Sequence, residues 1–255
     1  MTASTSVKIG IIDFNPDQNP DRREYIRRIG ALIPEKIKYE GVHFRDEVNF
    51  SDYNALILSG SKLSATDYQK MVRCNSVEGA DYESVDKVAK LLSNYQGPMF
   101  GICFGSQLMA HIMGGNLGKL EQTEAGYLEH QLTEEGKKDV VFGNLSETFF
   151  GAHMHTDFVK TLPQDKQVKE GSIIATRNNM IHIYKVICQN GAVRYGVQAH
   201  PEMSNNKDAT FLVSVNQTWL EDKLGKSEYN NALIIPSNAD YQLAQTITRF
   251  AELIR

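Results

Sequence analysis

The chain has 255 residues, 41% hydrophobic and 23% charged, with a formal net charge of -4. That is ordinary globular usage with enough apolar content for a core that needs no staples, and it gives no electrostatic reason to expect nucleic acid or an anionic membrane surface as partner. No apolar run nears the roughly 20 residues that cross a bilayer, no basic-then-apolar leader is visible, and the cysteines are an odd, sparse set (Cys74, Cys103, Cys188), so a cytoplasmic protein with reduced thiols is expected.

In chain order, Val7–Ile12 (VKIGII) is a short β-branched run that predicts a buried strand. Asn19-Pro20 reads as the opening of a helix, with Asn at the N-cap and Pro at the first helical position. Tyr25, Ile26, Ile29, Leu32 and Ile33 then supply its apolar stripe, and Arg22, Arg23, Arg27 and Arg28 its wet side. Ala55–Leu58 is a second buried strand, ending in Ser59-Gly60-Ser61. A helix is predicted over Tyr82–Tyr95, stopped by Gly97-Pro98, followed by a strand at Met99–Ile102 and a helix at Leu108–Met113 that Gly114-Gly115 ends. Gly126–Val168 reads as strands and loops without clear periodicity. Ile181–Cys188 and Val193–Gln198 form a strand pair around Gln189-Asn190-Gly191, and Asp240–Ile254 is an amphipathic closing helix.

Alternating strands and helices predict an α/β fold: a mainly parallel central sheet with helices on both faces, plus the antiparallel pair. With no Pro/Gly/Ser-rich linker or internal repeat, residues 1–255 read as a single domain. In such sheets ligands bind beyond the carboxyl ends of the strands. Three small polar turns belong there: Ser59–Lys62, Cys103–Gln107 and His200–Glu202.

Phe100-Gly101-Ile102-Cys103-Phe104-Gly105-Ser106-Gln107 is the most informative stretch. A cysteine at a strand-to-helix switch, with glycine two residues away on each side, has the form of a nucleophile elbow. The outgoing helix aims its positive end at the sulfur, and the Phe104 N–H is available to an oxyanion. Cys74 and Cys188 have no such setting. A cysteine nucleophile needs an imidazole to take its proton and a third group to orient that imidazole. His200 and Glu202, held in register across Pro201, supply both residue types on one face of an extended segment.

GICFGSQ at Gly101–Gln107 resembles the G-x-C-x-G-x-Q motif of class I glutamine amidotransferases, and GVQAHPE at Gly196–Glu202 resembles their G-x-Q-x-H-P-E motif, with Ala199 where phenylalanine is commoner. ILSGSKLSATD resembles the family's oxyanion strand, with Ser61-Lys62 in place of Gly-Pro. The likeness runs from about Val7 to Glu202 and is nearest to the glutaminase portion of GMP synthases. It implies a flavodoxin-like class I glutaminase fold, and the nucleophile, base and orienter roles for Cys103, His200 and Glu202. It further implies oxyanion donors from Phe104 and from Ser61 or Gly60, and substrate contacts from Gln107, His155 and Asp157. Glutamine, or another γ-glutamyl compound, is the implied substrate. No cofactor is implied, and with no nucleotide-binding motif in the chain an ATP-dependent synthetase partner would be a separate chain. A stand-alone γ-glutamyl hydrolase or peptidase uses the same chemistry, and a non-catalytic binding protein is the third reading.

Two features depart from the family pattern. Serine at position 61 tolerates fewer backbone conformations than glycine, so the oxyanion turn is expected to differ in shape or to need a partner to form. Residues 204–238, with the only tryptophan, Trp219, read as an insertion before the closing helix, either packed on the domain or serving as a lid or partner surface. His153-Met154-His155-Thr156-Asp157 also matches the H-x-H-x-D start of metallo-β-lactamase-like zinc sites. That family continues with a further histidine where this chain has Phe158, and His155 and Asp157 also match a His-x-Asp of GMP-synthase glutaminases, so no metal site is expected.

Overall fold

A computed structural model describes residues 7–16 and 24–254. The chain runs β1 (Lys8–Asp13), α1 (Glu24–Gly30), β2 (Lys38–His43), β3 (Ala55–Leu58), α2 (Ala65–Arg73), α3 (Ala80–Asn94), β4 (Met99–Ile102) and α4 (Phe104–Ile112). It continues with β5 (Leu117–Leu132), α5 (Glu134–Lys138), β6 (Thr148–Val159), β7 (Val168–Arg177), β8 (Met180–Cys188) and β9 (Val193–Val197). Three helices, α6 (Asn206–Ser214), α7 (Gln217–Leu224) and α8 (Lys226–Ala232), fill most of residues 204–238 before α9 (Gln245–Leu253) closes the chain. The expected Asn19-Pro20 helix start, with Arg22 and Arg23, lies outside the described residues.

All nine strands form one sheet in the order β2-β1-β3-β4-β9-β8-β6-β5-β7. From β2 to β9 every pairing is parallel. Beyond β9 every pairing is antiparallel, and β7 also pairs with β8, so β5, β6, β7 and β8 hydrogen-bond in a ring. The expectation of a mainly parallel sheet with one added antiparallel pair is therefore corrected: the sheet is mixed, and its second half is antiparallel. The physical reason lies in the strands themselves. β1, β3 and β4 are continuous apolar runs buried on both faces, the mark of parallel strands. β5 alternates buried and exposed positions over sixteen residues, so one face stays wet, as only antiparallel strands commonly allow.

Alternation along the parallel strands feeds two cores. Ile9, Ile11, Ala55, Ile57, Phe100 and Ile102 point to a core shared with Ile29 of α1 and Ile247 and Phe250 of α9. Leu56, Leu58 and Met99 point the other way, onto Val85, Val88 and Leu92 of α3 and Leu108 of α4. Each fully buried aliphatic side chain contributes about 1.5–3 kcal/mol, so helices cover both faces of this half. Among the described residues no helix is long and apolar enough to cross a membrane.

Candidate active site

The sheet's parallel half ends in the turns foreseen from the sequence. β4 passes into α4 through Cys103, whose backbone stands at φ 48°, ψ -110°. A non-glycine residue at such a φ costs about 1–3 kcal/mol and persists only where its surroundings over-determine it. Here the Cys103 N–H donates to the Val197 carbonyl at 2.8 Å, its carbonyl accepts from Gln107 N–H at 3.0 Å, and Gly105 N–H donates to the Ser59 carbonyl at 3.1 Å. Both flanking glycines are required by space. A Cβ on Gly101 would stand 2.7 Å from the Ser106 backbone, and one on Gly105 would stand 2.4 Å from the Leu58 carbonyl oxygen.

β9 lies beside β4, with Val197 opposite Ile102, so the residues beyond Val197 come back alongside Cys103. His200 Nδ1 donates to Glu202 Oε1 at 2.7 Å, and both side chains are buried. That bond fixes the imidazole tautomer and leaves Nε2, which has no hydrogen-bond partner in the protein, as the reactive nitrogen. Burial opposes the charged imidazolium, but Glu202 and then Cys103 outweigh it and push the His200 pKa up to about 10. Gln198 Nε2 reaches the Cys103 sulfur at 3.6 Å. Gly60 makes room for the pair: a Cβ there would sit 2.7 Å from His200 Cε1 and 3.6 Å from Cys103 Cβ. The Tyr25 ring lies 6.2 Å from the imidazole, and burial raises its phenol pKa so that it stays protonated.

The residues expected to receive an oxyanion are also at this end. Phe104 opens α4, where backbone N–H groups have no partner within the helix. Ser59 Oγ accepts from Phe14 N–H at 3.0 Å and donates to the Gly60 carbonyl at 2.9 Å, which fixes the peptide plane that carries the Ser61 N–H. Ser61 Oγ donates to the Phe14 carbonyl at 2.7 Å and accepts from Leu63 N–H at 3.1 Å. Among the described residues only Asn75, Cys103, Asn178 and Asn179 combine a side chain with positive φ, so Ser61 sits at an ordinary φ that does not call for glycine.

Gln107, His155 and Asp157 are brought together with Cys103, and all four line one cavity of about 600 Å³. Their polar atoms are largely committed to one another. Gln107 Nε2 donates to the Asp157 carbonyl at 2.7 Å and to Gln198 Oε1 at 3.0 Å. The Asp157 carboxylate accepts from Ser64 Oγ at 2.7 Å, Thr66 N–H at 3.0 Å and Thr66 Oγ1 at 2.8 Å, clamping the start of α2 to β6. His155 Nδ1 donates to the Asp157 carbonyl at 3.0 Å. The far wall of the cavity is Asn216, Trp219 and Lys223, from and just before α7.

Sequence reasoning missed two groups. Gln198 was legible only as a motif letter, and its contact with sulfur needed the β4–β9 register. Behind the cavity, His153 and His155 meet Glu124 of β5 and His182 of β8, with His130 stacked on His153. Burial, opposed to charge, holds the His182 pKa down at about 3 and those of His130 and His153 well below the usual value. Glu124 and His182 carry no local signal, because cross-strand pairing alone brings them to the H-x-H pair.

The family model for glutamine amidotransferase class-I matches residues 32–216. The glutamine-hydrolyzing subunit of a GMP synthase from Methanocaldococcus jannaschii is 30% identical over 184 residues, covering 72% of this chain and 80% of that protein. A glutamine-hydrolyzing GMP synthase of Clostridium botulinum is 29% identical over 140 residues, and the match takes in 55% of this chain but only 25% of that longer protein. A crystal structure of a glutamine amidotransferase from Thermotoga maritima superposes with a TM-score of 0.61 over 97% of this chain and 99% of that one, at 15% identity, a likeness of fold.

Proposed function

Since this chain belongs to the class I glutamine amidotransferases and is similar to the glutaminase portions of GMP synthases, we propose that it hydrolyses the side-chain amide of glutamine through a thioester on Cys103 and supplies the ammonia to a separate synthetase chain. His200 Nε2 takes the Cys103 thiol proton as sulfur attacks the carboxamide carbon. The N–H groups of Phe104 and of Ser61 or Gly60 hold the resulting oxyanion. Collapse breaks the C–N bond, and the imidazolium returns the proton to the departing ammonia. Water, deprotonated by His200, then attacks the thioester, and glutamate leaves with Cys103 restored. Glu202 orients the base and balances its charge in both halves. Gln107, His155 and Asp157 shape the wall against which the amino-acid end lies.

One observation supports this reading most: a cysteine in a strained strand-to-helix turn beside a buried His200–Glu202 pair at 2.7 Å. The test is ammonia release from glutamine by the purified chain, wild type against Cys103→Ala. Loss of all turnover in the variant supports it; retained turnover refutes it.

The cavity favours a second reading. About 600 Å³, walled by α7, lies within the range that takes ligands well beyond a free amino acid. A stand-alone γ-glutamyl hydrolase would use that space for a bulky leaving group. Cleavage of γ-glutamyl dipeptides in preference to glutamine would decide for it.

A further inference from the structure

The unused chemistry of this molecule is concentrated behind the cavity, in the ring of antiparallel strands. Glu124 of β5, His153 and His155 of β6 and His182 of β8 each direct one ligand atom to a common point, and these atoms all lie within 4.8 Å of one another. The three histidines are buried. Glu124 faces His155 directly across the β5–β6 ladder, which follows a register shift between Lys119 and Glu124.

The distances suit one kind of occupant. Ligand atoms at about 2.0–2.1 Å from zinc, at the corners of a tetrahedron, stand about 3.4 Å apart. His155 Nε2 is 3.1 Å from His153 Nδ1 and 3.2 Å from Glu124 Oε2, and Glu124 Oε2 is 3.7 Å from His182 Nε2. The outer bonds agree with that use of the nitrogens. His155 Nδ1 donates to the Asp157 carbonyl at 3.0 Å, which leaves Nε2 as a lone pair pointing at Glu124. His153 Nε2 pairs with His130 Nε2 at 2.9 Å, which leaves Nδ1 facing the same centre. An outer partner that fixes the tautomer of each ligating imidazole is the usual build of such a centre.

Hydrogen bonds within the protein do not satisfy the cluster. Glu124 Oε2 and both nitrogens of His182 are buried without a hydrogen-bond partner. A neutral His155 and an ionised Glu124 would set two lone pairs against each other at 3.2 Å. A cation between them resolves all of these at once.

We propose that Glu124, His153, His155 and His182 form a closed, four-coordinate site for a zinc-class divalent cation that ties β5, β6 and β8 together behind the active-site cavity. Three imidazoles and one carboxylate, with no thiolate, are borderline ligands suited to Zn²⁺ or Co²⁺ rather than Mg²⁺ or Ca²⁺. With four protein ligands the site is structural, since a catalytic zinc keeps a position open. It also assigns His155 to the cation rather than to the substrate.

The test is metal content of the full-length, tag-free chain by mass spectrometry, joined to the absorption spectrum after loading with Co²⁺. The expected result is one ion per chain, with visible bands of tetrahedral intensity and no thiolate charge-transfer band. Cys103→Ala should keep the ion. Glu124→Gln and His182→Gln should each weaken it by more than the roughly 10- to 100-fold that loss of an outer-shell partner costs. A chain that takes up no Zn²⁺ or Co²⁺, a thiolate band, or an ion lost in Cys103→Ala and kept in Glu124→Gln would overturn the proposal. The wild-type spectrum decides even if a ligand variant fails to fold.

Discussion

Cys103 holds its turn against its own backbone preference, and that can be read as a stability difference. Glycine takes this φ and ψ without steric cost, whereas alanine keeps the strain. Cys103→Gly should therefore melt higher than Cys103→Ala, by about 1 kcal/mol in denaturant unfolding, while both are inactive on any substrate wild type turns over. Gly60 is the opposite case. Gly60→Ala puts a methyl 2.7 Å from His200 Cε1, so the imidazole must move. A displacement near 1 Å costs about 100-fold in rate, and kcat should fall by that order with an unchanged melting temperature. His200 titrates where stability can report it. Its folded pKa of about 10 lies above the ordinary 6.5, so Glu202 stabilises the fold below about 6.5 and that contribution is lost as pH rises through about 10. The advantage of wild type over Glu202→Gln in thermal unfolding should thus be larger near pH 6 than near pH 10. In kinetics Glu202→Gln should be hurt less than His200→Ala, by at least about tenfold, because the orienter tunes a base that still moves the proton. Equal losses in two well-folded variants would refute that division.

At the scale of elements, the turn after β3 is held by its serines rather than by a glycine. The Ser59 hydroxyl joins Phe14 N–H to the Gly60 carbonyl in a fully buried spot. Ser59→Ala leaves both groups unpaired and should destabilise the fold by about 1–3 kcal/mol. Because Ser61 sits at an ordinary φ, Ser61→Gly gains no relief from strain and instead loses the bonds to Phe14 and Leu63. A partner-driven turn of this peptide plane would have to break the Ser59–Gly60 bond, a cost of about 0.5–1.5 kcal/mol that a protein contact easily covers. On the opposite wall, Trp219 is 41% exposed and contributes little to any core. Trp219→Ala should leave the melting temperature nearly unchanged but alter the ranking of γ-glutamyl substrates by leaving group, measured as kcat/KM. An unaltered ranking would mean that α7 plays no part in selection.

Over the whole molecule, legibility follows the two halves of the sheet. VKIGII, ALIL and MFGI are buried on both sides, so composition alone marked them, and the turns after ALIL and MFGI pointed to Ser59–Ser61 and Cys103. The antiparallel half was illegible for the same physical reason that it is antiparallel: strands with a wet face mix lysine and glutamate with leucine, as β5 does. β7 and α2 were missed in the same way. α2 is mostly polar, though Ser64 accepting from the Asp67 N–H is a capping signal that its sequence carried. The H-x-H pair was visible, but its companions arrive from β5 and β8, and no local window holds them. Protection should follow the same division. Amide exchange should be slowest in β4 and β9, whose residues sit at the centre of the sheet, and fastest in α7 and α8, where most side chains face water.

His200 takes its backbone position partly from the other half: its N–H donates to the Ala152 carbonyl at 2.8 Å, on β6. The nucleophile is indexed to the parallel strands, and the base is indexed also to the hairpin of β5 and β6. Anyone who transplants that hairpin, or trims it by one residue, would retune the sulfur-to-imidazole gap without touching a residue of the cavity. For an engineer the hairpin is therefore an adjustment screw on the active site rather than a removable ornament.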